Sequence, residues 1–298
     1  MNDQQLAITG ELERSLARPT EVDELLALPV GLHTDVREAV YHARVLGMAS
    51  KSALDFLRHS AAHYRAWVAG EIERKSTKAL HLGKAVHAAV LEPERFARQY
   101  VIAPDFGDCR RRENKLARDA WRAEHRGSII LDSETGIAEL GMVRSLAAHP
   151  AVTALVEGAQ TEVTARWEDG EIPCKGRADI DNIELELLAD VKSTEDARAD
   201  AFSRSVWNYG YHRQDDWYRR GWRALGRPIA AFVFIVVEKS APYAVALYEL
   251  DDAARLRGRQ ENDSLLARLA YHVEHDEWPG FSESIEPLSL PRWAERAP

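Results

Sequence analysis

Three residues in the stretch GRADIDNIELELLADVKST, positions 176–194, have types and spacing that can do chemistry together: Asp179, Asp190 and Lys192. Successive side chains of a strand alternate between faces, so Asp190 and Lys192 point the same way. On the preceding strand Arg177, Asp179 and Asp181 share one face. A short antiparallel turn at Asp181-Asn182 would bring the two strands together and let Asp179 approach Asp190. Two carboxylates held a few ångströms apart repel unless a cation or a proton lies between them. For oxygen ligands the hard cation to expect is magnesium, bound by one or two carboxylates with several waters retained. A lysine beside such an ion can orient an attacking water or neutralise charge building on a phosphoryl oxygen. The bland alternative is a surface Asp–Lys pair at a strand end, worth under about 1 kcal/mol. The tripeptide alone does not choose between the two.

The elements that must hold these residues can be read from the hydrophobic pattern. TEVTARW, IPCKGRADID and IELELLADVKS read as three successive strands, joined by turns at Glu168-Asp169-Gly170 and Asp181-Asn182, forming an antiparallel meander. A helix over SVWNYGYHRQDDWYRRGWRAL follows, then the most apolar strand, IAAFVFIVVEK, expected in the interior of the sheet. YAVALYEL reads as a further strand, and a long helix runs from Asp251 to about His275. Upstream, SKSALDFLRHSAAHYRAWVAGE is helical with Ser50 or Ser52 as N-cap, and ALHLGKAVHAAVLEPERF is a second helix ending near Pro93. Residues 101–128 are polar and basic, and a helix from Ser133 to Ala148 stops at Pro150, with another short one after it. Residues 1–40 read as a loosely attached arm with one short helix around Val22 to Leu28. The expectation is an α/β fold: a mixed central sheet flanked by helices, in a single domain over 41–298.

The order of polar residues along these elements is more specific than any one of them. Gly83 and His87 lie on a helix, Glu162 on a strand and Asp179 on the next. Asp190 and Lys192 follow on the third, then Gln214 and Tyr218 on the following helix. This order resembles the PD-(D/E)XK nuclease superfamily, specifically its exonuclease branch. SKSALDFLRHSAAHYRAW followed by HLGKAVHAAVLEPERF looks like the nuclease domain of the exonuclease VIII (RecE) family, and the resemblance covers roughly residues 40–280. It implies that His87, Asp179 and Asp190 bind the metal, with the Val191 carbonyl contributing, and that Lys192 assists the nucleophilic water. It also implies that Gln214 and Tyr218, one helical turn apart, shape the site and hold DNA. Glu162 matches an acidic position one strand earlier, with a solvated strand residue as the other reading. His87 taken alone is most simply a packed helix histidine. Ala61 stands where related sequences typically have proline, a departure at a helix start that leaves the chemistry untouched.

Composition bounds the rest. The net charge of −9 argues against indiscriminate coating of nucleic acid, so any DNA contact needs local positive charge. Two basic groups qualify: Arg110, Arg111 and Arg112, with a solvated face as their simpler reading, and Arg213, Arg219, Arg220 and Arg223 around the Gln214 helix. Arg177 joins them as a DNA-binding candidate beside Asp179. Cys109 and Cys174 read as free thiols, too few for a zinc or iron–sulfur site. LGKA at 82–85 lacks the glycine and hydroxyl residue of a P-loop. The N-terminus has no secretion-signal order, and no run of about 18 apolar residues could span a bilayer, so a cytoplasmic protein is expected. By resemblance the expected function is a Mg2+-dependent exodeoxyribonuclease (Mn2+ a possible substitute). It would act on the ends of linear double-stranded DNA, running 5′ to 3′, in recombination or repair. It would form a homo-oligomeric ring with a negative exterior and positive channel, and serve a single-strand annealing recombinase. An endonuclease, a single-strand-specific nuclease or a non-catalytic DNA-binding protein on the same fold are the alternatives.

Overall fold

A computed structural model describes residues 20–72, 78–91, 96 and 98–290 of the chain. Eight strands and eleven helices are named here in chain order. The N-terminal part holds α1 (Glu21–Ala27), β1 (Gly31–His33), α2 (Glu38–His42), α3 (Lys51–His59), α4 (Ala61–Val68) and α5 (Lys78–Leu91). Then come β2 (Tyr100–Ile102), α6 (Arg112–Glu124), β3 (Ile129–Leu131), α7 (Ser133–Ala147) and α8 (Pro150–Val156). The meander is β4 (Gln160–Asp169), β5 (Ile172–Asn182) and β6 (Leu187–Thr194). It is followed by α9 (Ala199–Tyr209), α10 (Tyr211–Ala224), β7 (Ala231–Glu238), β8 (Val245–Glu249) and α11 (Asp252–His275).

The main sheet has the order β1-β4-β5-β6-β7-β8, antiparallel throughout except for the parallel β6–β7 pair. The α9–α10 crossover supplies that parallel connection. Alternation along β7 explains its apolar run: Phe232, Phe234 and Val236 face one core, and Ile235 and Val237 face the other. The first core is completed by α3, α4, α10 and α11 through Leu54, Leu57, Tyr64, Trp217, Trp222 and Leu269. The second is completed by α5 and α7 through Val86, Leu91, Met142 and Leu146. Helices therefore cover both faces of a mixed sheet, and the α5 layer sits across β6 from the α10 layer.

Several local expectations are revised. The run from Ser50 divides into α3 and α4, each with its own serine cap: Ser50 accepts from the Ala53 amide and Ser60 from the His63 amide. Ala61 is thus the first residue of α4, a position that suits proline. The helix expected across residues 205–225 breaks at Gly210, whose φ of 66° and ψ of 40° are left-handed. A Cβ there would run into the Arg213 guanidinium, which Asp55 and Glu261 hold in place, so this close left-handed turn favours glycine. The turn expected at Asp181-Asn182 lies at residues 183–186, and both polar residues are buried in β5 instead. Asp181 accepts from Trp222 Nε1 and Arg227 Nη2, both at 2.8 Å, while Asn182 donates to the carbonyls of Leu155 and Glu157. Of the arm expected at 1–40, residues 1–19 lie outside the described residues. Residues 31–33 form an edge strand on β4, and Leu25 and Val40 are buried with Met48. The segment is tied down further by Arg177, which donates to the Val36 carbonyl at 2.7 Å, so over 20–40 the arm is attached. A small parallel sheet, β2–β3, and the exposed helix α6 occupy the polar stretch 101–128 and its sequel.

Candidate active site

The site begins where two strands part. Paired residues of β5 and β6 run from Asn182–Leu187 only as far as Ile180–Ala189. Continuing that register would place Asp179 opposite Asp190, and there the ladder gives way. The Val191 amide donates to Asp179 Oδ2 at 2.8 Å, so a side chain replaces the backbone partner. On the other side of β5, Val163–Ala178 and Thr161–Ile180 are paired, which sets Glu162 across from Asp179. Glu162 has a φ of 53°, a strained conformation for a non-glycine residue inside a strand.

His87 enters from α5. Its Nε2 lies 2.6 Å from the Val191 carbonyl, which can only accept, so this contact assigns the ring proton to Nε2. The Nδ1 lone pair then faces Asp179 Oδ2 at 3.2 Å. One ligand atom from each of His87, Glu162 and Asp179 lies within 4.8 Å of the others. An imidazole lone pair and two carboxylates gathered this closely are stable only with a proton or a cation among them. The protonation preferences agree. Burial, with Asp190 next, holds the Asp179 carboxyl well above its usual range, and burial holds His87 below its own. The donor set of one imidazole and two carboxylates fits a divalent cation.

Asp190, 3% exposed, is engaged separately: Lys192 Nζ and Gln214 Nε2 each contact one of its oxygens. Burial works against the Lys192 charge, but the attraction of Asp190, followed by Tyr211 and Asp179, outweighs it and raises the ammonium's pKa. Lys192 also sits 4.8 Å from the Tyr211 ring centroid. Gln214 reaches Asp190 because Gly210 ends α9 and reorients α10. Tyr218, one turn on, has its hydroxyl pushed well above the usual phenol range by burial first, then by Tyr41, Asp190 and Asp179.

Compared with the residues expected from sequence, the structure gathers His87, Glu162 and Asp179 as the potential ligand group and sets Asp190, Lys192, Gln214 and Tyr218 beside it. Asp190 lies outside that group of three, and Glu162, left open from sequence, lies within it. The Val191 carbonyl, expected as a ligand, accepts from His87. Arg177 stays near the site, with Nη1 3.8 Å from Glu162 Oε2. Arg213, Arg219 and Arg220 do not offer free charge to it. Arg213 pairs with Asp55 and Glu261, Arg219 with Asp215 and Glu249, and Arg220 with Asp169, Asp216 and Asp263. Arg110, Arg111 and Arg112 are exposed around the start of α6. Two aromatic neighbours were not anticipated. Tyr211 carries Lys192, and Tyr41 has its hydroxyl pushed up to about 12 by burial, with Glu162, Asp179 and Asp190 among the charges acting on it. No spacing signal marks Tyr41, since it comes from the segment next to the expected arm.

A sequence profile of the family described as a PDDEXK-like domain of unknown function (DUF3799) matches residues 50–291. The chain belongs to that family. The family's name can be read here from Asp179 and from Asp190-Val191-Lys192, with Ala178 where the name has proline. The PDDEXK-like core is shared with a solved structure named "Putative exonuclease" from Eubacterium rectale. It is 14% identical, covers 83% of this chain and 92% of that one, and has a TM-score of 0.56, which establishes the fold alone. A phage related exonuclease from Haemophilus somnus 129PT also matches, at 11% identity over 88% and 91% of the two chains, with a TM-score of 0.37. No curated protein matches significantly. Among the described residues, no helix is long and apolar enough to cross a membrane.

Proposed function

We propose that this PDDEXK-like protein is a magnesium-dependent exodeoxyribonuclease that digests linear double-stranded DNA from its ends in the cytosol. The observation carrying the reading is the convergence of His87, Glu162 and Asp179 beside a charged Lys192 held by Asp190. When bound by those three residues, Mg2+ (or Mn2+) would lower the pKa of a water and draw charge from a phosphate oxygen. Lys192, kept as an ammonium, supplies a fixed positive charge for the phosphoryl group as negative charge develops on it. Asp190 positions that ammonium, and Gln214 fixes the free oxygen of Asp190 so that the lysine cannot swing away. Buried Tyr218 keeps its proton and walls the site beside Gln214. The resemblance to the RecE family adds 5′ to 3′ polarity, a ring around the duplex and a role in recombination beside an annealing partner. The family assignment and the exonuclease name of the Eubacterium rectale neighbour support the same class of activity.

The test is nucleotide release from linear and covalently closed circular duplex of the same sequence, with Mg2+ and with EDTA. Linear DNA should be consumed only with the ion, and closed circles spared. Lys192→Ala should reduce release by at least about 100-fold while circular dichroism stays unchanged. Equal attack on closed circles would replace the exonuclease with an endonuclease. No ion-dependent release by the unaltered protein would end the enzyme reading.

A further inference from the structure

A second positively charged feature lies one step from Lys192, and the nuclease site does not use it. A cavity of about 520 Å³ opens between α3, α9, α10 and α11. Arg58, Arg257 and Arg268 line it beside the carboxylate of Glu261, and Arg213, also in the lining, is already paired with Asp55 and Glu261. Glu261 is already shared by Arg213, Arg257 and His212. Arg268 donates to the neutral Leu57 carbonyl, and Arg58 is exposed with no ionic partner among the described residues. In a chain of net charge −9, this surplus of cations is local and marked.

Aromatic surface accompanies the charge. Trp207, 61% exposed, stacks on His212 with ring centroids 5.5 Å apart and planes 10° from parallel, so the indole is held in place before any ligand arrives. Tyr209, 62% exposed, lies two residues on, its ring 5.7 Å from Tyr211, which carries Lys192. Lys51 bridges the same gap: its Nζ donates to the Tyr209 carbonyl and to Asp55, both at 2.7 Å, and Asp55 holds Arg213 at 2.9 Å. Tyr211, Tyr209 and Lys51 thus lead from the site toward the cavity, with Asp55 and the buried Arg213 linking Lys51 to its wall. A duplex stacks its bases internally and presents phosphates alone; a single strand presents phosphates and base faces together. Cations interleaved with exposed rings match the single strand.

We propose that the cavity between Arg58 and Trp207 binds single-stranded nucleic acid, taking the phosphates on Arg58 and Arg268 and bases on Trp207 and Tyr209. Its role as the track for the strand engaged at Asp190 and Lys192 rests on the nuclease reading. The test uses full-length protein and a fluorescein-labelled oligothymidylate of about 20 nucleotides, followed by anisotropy in EDTA so that cleavage plays no part. Trp207→Ala and Arg58→Glu should each weaken binding about tenfold, and Arg58→Glu should also flatten the salt dependence. A 5-iodouracil version of the oligonucleotide should crosslink to Trp207. The same preparations are assayed for Mg2+-dependent release from linear duplex. If the unaltered protein digests DNA but both variants bind the oligonucleotide normally, the cavity proposal fails and the nuclease stands. If no DNA is digested yet both variants lose binding, the nuclease reading fails and the cavity stands. Unchanged binding with loss of a multimer in Trp207→Ala by light scattering would overturn the proposal in favour of a contact between copies of this chain.

Discussion

Replacing Glu139 should stabilise the protein, and by an amount that depends on pH. Glu139 lies on α7, is 0% exposed, and neither carboxylate oxygen has a hydrogen-bond partner among the described residues. Burial raises its pKa from 4.5 to about 7. Below the unfolded pKa both states carry the proton and this group adds no pH dependence. Between about 4.5 and 7 the native state holds a proton that the unfolded chain has lost, so stability falls as pH rises, by about 1.4 kcal/mol per unit. Above the folded pKa the loss levels off at roughly 3 kcal/mol. Glu139→Leu, which supplies an apolar side chain of comparable size, removes this term. In urea unfolding followed by tryptophan fluorescence, the variant should exceed the parent by about 3 kcal/mol near pH 8, with the gap about 2 kcal/mol smaller near pH 5.5. A gap equal at the two pH values would mean that Glu139 is solvated or paired, and would refute the reasoning.

Other perturbations follow from the site and its supports. Mg2+ or Mn2+ should raise Tm by occupying the His87–Glu162–Asp179 group, with about 2.7 kcal/mol expected at a hundredfold excess over Kd; Glu162→Gln should remove most of that rise in a thermal melt. Gln214→Leu frees an oxygen of Asp190 and should lower kcat for nucleotide release by roughly tenfold to a hundredfold with little change in KM. Gly210→Ala introduces a Cβ into the Arg213 guanidinium at a φ of 66°, and should lose about 2 kcal/mol or more in urea unfolding. Asp181→Ala strands buried Trp222 Nε1 and the partner Arg227 and should lose about 3–5 kcal/mol, read the same way.

Much of the scaffold is legible in the sequence because its signals are periodic. The meander, the apolar β7 and the long α11 announce themselves by alternation, by an unbroken apolar run and by the Asp251 cap. What escapes the sequence is set by partners distant along the chain. Asp181-Asn182 has turn composition, but Trp222, Arg227 and two carbonyls at the C-terminal end of α8 consume its polar groups and draw it into the strand. Gly210 looks like one tolerated glycine in a helical pattern, and its left-handed turn, packed against Arg213, shows only in the folded chain. β1 is three residues long and exists because β4 offers an edge. At the site, His87, Asp179, Asp190 and Lys192 could be nominated by order alone. The inclusion of Glu162 depends on a positive φ that no local residue pattern specifies. Arg213, Arg219 and Arg220 illustrate the reverse: a basic stripe reads as free charge until the acids of α3, α11 and β8 are folded against it.

The parted ladder between β5 and β6 also bears on how an inactive form of this protein should be made. The Val191 amide donates to the Asp179 carboxylate, so removing that carboxylate takes away its acceptor in the sheet interior. An Asp179→Ala protein that fails to act would be ambiguous, because ion binding and strand geometry would have been lost in one stroke. Replacing Lys192, whose side chain is not part of the sheet's own hydrogen bonding, keeps the strands paired and removes only the cation beside Asp190, a cost that a urea melt reads separately from activity.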